Sequence, residues 1–174
     1  MVATEADASA DPLASSRLSR VLVTVTRVGL ALLWTQGAGW KTPPRFEALH
    51  KWTSYAVSRP VLEPWAWFVD NFVLPNFIFF GWTTLLVEAS LGAFLLVGLA
   101  TRLWALVGIG HTLVITLSTL YAPHEWVWSY LLMLMLHIVV FATAAGRFGG
   151  VDGLLRPRWQ HATGRLARLL VRAS

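Results

Sequence analysis

The stretch "GWTTLLVEASLGAFLLVGLATR", residues 81–102, decides the fold. Its only charges are Glu88 and, at its end, Arg102. A helix needs ~20 apolar residues to cross ~30 Å of hydrocarbon, so the segment has the length and character of a membrane span. An ionised carboxylate in hydrocarbon is costly and marks a position with a partner and a purpose. What neutralises Glu88 is the question the rest of the chain must answer.

The whole chain has the same character. Of 174 residues 56% are hydrophobic and 13% charged, with ten Trp, whereas soluble domains carry about 25% charged residues. There is no cysteine, which excludes disulfides, thiolate metal sites and thiol redox chemistry within the chain. Any electron carrier is therefore bound non-covalently or sits on a partner. The net charge of +5 does not point to nucleic acid, because the basic residues cluster beside apolar runs, where they set membrane topology.

Apolar runs at 18–39, 76–99, 102–121 and 126–145 predict four spans. "GLATR" joins the second to the third and "YAPHE" the third to the fourth, so these pairs are tight antiparallel hairpins. The predicted fold is all-α, a polytopic four-helix membrane bundle over residues 17–155. Residues 1–16, small, polar and acidic, read as a disordered tail. Residues 156–174 form a basic amphipathic segment, with Leu166, Leu169 and Leu170 on one face and Arg165, Arg168 and Arg172 on another. That pattern suits an anionic leaflet; docking to a soluble partner is the other use.

Charge orients the spans. With the N-terminus inside, Arg17, Arg20, Arg102, Arg147, Arg156, Arg158, Arg165, Arg168 and Arg172 face inward, against Lys41, Arg45, Lys51 and Arg59 outside. This bias predicts cytoplasmic termini. The outer loop, 40–75, contains "PVLEPWAWFVDNFVLP", a proline-bounded aromatic run that predicts a short interfacial helix. Trp40, Trp52, Trp65, Trp67, Trp126 and Trp128 gather at the outer surface, as an aromatic belt or as the entrance for a flat lipophilic ligand.

Each span carries one polar residue deep inside: Arg27, Glu88, His111 and His137. At 1.5 Å per residue all four fall roughly 10 to 15 Å from the inner boundary, as one layer. Polar or small stripes support this: Gly81, Thr84, Glu88 and Gly92; Gly108, His111, Ile115 and Ser118; Thr24, Arg27, Ala31 and Trp34; Tyr130, Met133 and His137. Such stripes face neighbouring helices. Arg27 is then the expected counter-ion of Glu88, whether the pair fixes register or serves chemistry. Two histidines on adjacent spans also meet the ligand count for axial haem, a use nothing else in the sequence supports. No metal site is expected, since no thiolate or second carboxylate lies in the layer.

"TRVGLALLWTQGAGWKTP", "EASLGAFLLVGLATRLWAL" and "HIVVFATAAGRFGGVDGLLRP" together resemble the landmarks of the DoxX/DoxD family of small four-helix bacterial and archaeal membrane proteins. The matching positions are Arg27 and Gly29, Gly39 and Lys41, Glu88 and Arg102, and Gly146, Arg147 and Asp152, over roughly residues 20–157. The long Trp-rich first loop resembles the DoxD branch, taken as the large subunit of thiosulfate:quinone oxidoreductase. Other members are linked with membrane-associated oxidant defence. The resemblance implies a location in the cytoplasmic membrane and work with redox partner subunits.

The leading functional expectation is a membrane subunit of a quinone-linked oxidoreductase. Glu88, His111 and His137 are its candidate catalytic residues; Trp34, Tyr130, His111 and His137 are its candidate quinone-binding residues. Quinone needs an apolar cleft, donors for its carbonyls and a proton source. A non-catalytic scaffold for soluble redox partners and a small-molecule carrier are the alternatives. The carrier would need to form a homo-oligomer, because four short, unbroken spans leave little room for alternating access.

Overall fold

A computed structural model describes residues 16–162 and 164–174. The tail expected at 1–16 lies, but for its last residue, outside the described residues. All regular structure among the described residues is helical. Helix α1 (Arg17–Gly39) is followed by three short helices in the loop, α2 (Glu47–Thr53), α3 (Tyr55–Ser58) and α4 (Glu63–Phe68). The long helices α5 (Phe77–Val97) and α6 (Thr101–Thr119) come next, then α7 (Val127–Ala142), and at the end α8 (Val151–His161) and α9 (Arg165–Ala173).

α1 packs most extensively on α5, and α6 on α7, while α5–α6 and α1–α7 contacts close the ring. The four long helices thus form an up-and-down bundle. Leu22, Leu32, Leu86, Leu106 and Leu131 are more than half exposed around its perimeter. So large an apolar surface suits lipid, not water. Helices α1, α5 and α6 are long and apolar enough to span a membrane. The fourth is shorter than expected: α7 has 16 residues, or ~24 Å at 1.5 Å per residue. It stops where Ala144 turns left-handed, φ 46°, before a 3-10 turn at Ala145–Arg147.

The loop is more structured than the sequence pattern showed. The aromatic run forms α4, the helix expected there, and continues as a π turn over Val69–Val73, while α2 and α3 add two helices the pattern does not predict. Phe46, Ala56, Val69, Val73 and Phe77 make a core of their own over the end of the bundle where α1 exits. Phe46 enters α2 at φ 52° and is buried. Its ring packs against Gly81, where a Cβ would come within 2.6 Å of it. The bare backbone of α5 therefore seats the loop.

At the opposite end, here the tail end, two charged residues hold the α5–α6 turn. Arg27 donates through Nη1 to Leu95 O (2.5 Å) and Leu96 O (2.7 Å), and through Nη2 to Gly149 O (3.2 Å). A cation there meets the carbonyls that a helix C-terminus leaves unpaired. Asp152 does the reverse for α6, accepting from Ala100 N (2.7 Å) and Thr101 N (2.9 Å). Gly98, at φ 70°, supplies the left-handed residue that ends α5.

Candidate functional site

Glu88 answers to Lys41, not Arg27. The Lys41 ammonium donates to Glu88 Oε2 at 2.5 Å and to Gly37 O at 2.6 Å, and both charged groups are buried. Arg27 meets α5 at Leu95, seven residues further along, which is ~10 Å on a helix. The equal-depth layer fails because α5 and α1 are offset. Lys41 lies beyond the end of its span and reaches back inward. Burial pushes its pKa below the ordinary lysine range, and Glu88 beside it opposes that shift.

His111 completes the cluster, with Nε2 3.3 Å from Glu88 Oε1. His137 does not join it. Its Nε2 accepts from Trp34 Nε1–H (2.9 Å), and Nδ1–H donates to Met133 O (2.8 Å). Indole can only donate and a carbonyl can only accept, so this pairing requires the neutral imidazole. Both nitrogens are spent and the side chain is wholly buried, so His137 presents nothing to a haem iron or a quinone carbonyl. Gly108 makes room for it: a Cβ there would lie 2.0 Å from Nε2. The expected site residues Trp34 and His137 therefore brace α1 against α7 beside the site.

Glu88, His111 and Tyr130 do come together, around a cavity of about 560 Å³ between the bundle and the loop. Ligand pockets commonly hold ~300–1,000 Å³. Its walls are aromatic and aliphatic, with Trp40, Trp52, Trp65 and Phe68 from the loop and Phe80 from α5. Of the six tryptophans expected together, Trp40, Trp52 and Trp65 line the cavity, while Trp67, Trp126 and Trp128 are more than half exposed. Polar groups occupy two places in the cavity. Lys41, Glu88 and His111 form one; the other is Tyr130, whose hydroxyl donates to Glu125 Oε2 (2.5 Å) and lies 2.8 Å from Thr119 Oγ1. Between them Trp65 Nε1–H donates to Ser118 Oγ (3.1 Å), tying the loop to α6.

Lys41, Glu125, Thr119 and Ser118 had no catalytic role in the sequence reading. Glu125 and Thr119 fall in or beside a turn that breaks helical periodicity. Lys41 was visible only as a landmark of the family resemblance and as a topological charge.

A bundle of apolar helices, three of them long enough to cross a membrane, roofed by a folded loop over a polar-ended cavity, defines the class of polytopic helical membrane proteins. Within it the chain belongs to the DoxD family: the family described as "TQO small subunit DoxD" matches residues 62–172. That description makes DoxD a small subunit, so the large-subunit detail of the resemblance does not carry over. No curated protein and no solved structure gives a significant match. The matched segment begins in the loop and includes Glu88, His111, Tyr130 and Asp152, but not Arg27 or Lys41.

Proposed function

We propose that the chain is a membrane subunit of a quinone-linked oxidoreductase and that its quinone headgroup site is the cavity ending on Glu88. The observation that carries this is a buried Lys41–Glu88–His111 cluster opening into an aromatic-walled space. The family description supports the redox context.

The chemistry follows from what each residue offers. A quinone carbonyl needs a hydrogen-bond donor, and Lys41 spends two of its three N–H bonds on Gly37 and Glu88, leaving one. Flat aromatic walls favour a planar ring over water. Conversion of quinone to quinol takes up two protons with two electrons. Glu88 and His111 are positioned to hold and pass a proton, and Tyr130 with Glu125 supplies a second polar station. The electrons are assigned to a partner subunit, and the polyprenyl chain of the quinone to the lipid side of the cavity mouth. By the charge bias, the loop and cavity mouth face outward and the tail end faces the cytoplasm.

The test is quinone retention through purification, with quinone-reductase activity in membranes at matched protein level. His111→Phe keeps a flat ring but removes the ring nitrogens, and should reduce retention about tenfold, the loss expected for one hydrogen bond. Glu88→Gln should retain quinone but slow turnover, since the carboxylate assigned to proton transfer is gone. Retention and activity unchanged in both variants would leave the anchoring role as the working alternative. The exposed leucines of α9 suit that role.

A further inference from the structure

A second cleft, of about 440 Å³, opens at the tail end between the first turns of α1 and the segment after α7. Its charged lining is Arg17, Arg20 and Arg147, with no carboxylate. Among the described residues Arg17 and Arg20 enter no ion pair, and Asp152 is committed to the backbone of α6. Arg147 is fixed in place by donation from Nη2 to Ser174 O (3.1 Å). Thr24 Oγ1 lies within hydrogen-bonding distance of both Arg20 O (2.8 Å) and Phe148 O (2.9 Å), so the two walls are joined.

The cleft is amphipathic along α1. Val21 and Val25 line it, and with Leu18 and Leu22 they form an exposed apolar surface running into the bundle's lipid face. Clustered guanidiniums match a phosphodiester through paired N–H donors. Their position at the end of a span is headgroup depth, where basic pockets between helices bind anionic lipids. Charge complementarity on one side and continuity with the lipid face on the other select the same occupant. We propose that this cleft binds an anionic phospholipid, with its phosphate on Arg17 and Arg20 and an acyl chain along Val21 and Val25. The site lies at the opposite end of the bundle from the cavity, and its existence does not depend on the quinone reading.

Native mass spectrometry of the detergent-purified protein tests this, with phosphatidylglycerol, phosphatidylcholine of the same chains, and glycerol 3-phosphate as probes. Phosphatidylglycerol should remain bound where the other two do not. Arg17→Gln with Arg20→Gln, both at exposed positions, should weaken it about thirtyfold, given the strength of a basic residue at an anionic leaflet. Arg165→Gln with Arg168→Gln on α9 should change it less than about threefold, because diffuse surface charge is only weakly selective. Equal retention of phosphatidylcholine would reduce the site to ordinary boundary lipid. Equal affinity for glycerol 3-phosphate would make the ligand a soluble phosphate compound. Phosphatidylglycerol binding that appears only after deletion of residues 1–12, which hold Glu5, Asp7 and Asp11, would assign the cleft to the chain's own acidic segment. Each of these three results overturns the proposal.

Discussion

Substituting Lys41→Met would leave Glu88 buried with only His111, at 3.3 Å, to balance it. The Lys41 and Glu88 side chains are 5% and 2% exposed, so solvent offers almost no screening. A unit pair ~4 Å apart at an effective dielectric near 20 is worth about 4 kcal/mol, much of it cancelled in the intact protein by desolvation. Removing one partner strands the other, which costs about 3–5 kcal/mol in buried pairs. The remaining hydrogen bond to His111 recovers part of that, so we expect about 2–4 kcal/mol. Glu88→Gln in the Lys41→Met background should restore at least half of the loss. Arg27→Met is the internal control. It should destabilise the bundle by freeing the α5 carbonyls, and combining it with Glu88→Gln should be additive to within about 0.5 kcal/mol. The assay is reversible unfolding in mixed micelles, as two double-mutant cycles. Strong coupling of Glu88 to Arg27 and none to Lys41 would refute the assignment.

Three further outcomes are expected. Gly108→Ala places a methyl where a Cβ lies 2.0 Å from His137 Nε2; it should cost about 1–3 kcal/mol by overpacking, and an unchanged melting midpoint in detergent would contradict the packing. Asp152→Asn replaces one carboxylate oxygen with an amide facing a backbone N–H. It should cost about 1–3 kcal/mol and speed amide exchange at Ala100 and Thr101, and normal protection there would exclude the cap. Because the chain has no native cysteine, an impermeant maleimide should label Ser58→Cys from outside intact cells and Arg158→Cys only after lysis, with the reverse pattern inverting the topology.

The long helices were legible because hydrocarbon imposes length and apolarity on each span separately. Predicted and observed bounds of the first three spans differ by at most two residues at either end. The polar stripes were legible for the same local reason: Gly81, Gly92 and Gly108 each lie against a specific neighbour, Phe46, Thr35 and His137. Relative offset was not legible. Sliding α1 by two turns along α5 leaves every pattern within each helix intact, so depth alone could not separate Arg27 from Lys41 as the partner of Glu88. Nor could periodicity show that a loop lysine folds back into the bundle, or that Asp152 caps a helix begun 51 residues earlier. The family landmarks held both residues, which is where sequence could have shown the site more fully.

The tail-end cap has a consequence for how the chain is made. Synthesis runs from N- to C-terminus, so the α5–α6 hairpin leaves the ribosome well before Asp152 does. During that interval Arg27 is already available to secure the end of α5, while the amides that begin α6 have only water or lipid headgroups to meet. The hairpin is thus finished by the segment that follows the last span. A nascent chain halted before residue 152 would carry all four long helices yet lack the group that locks two of them, and membrane quality control could distinguish it from the completed protein.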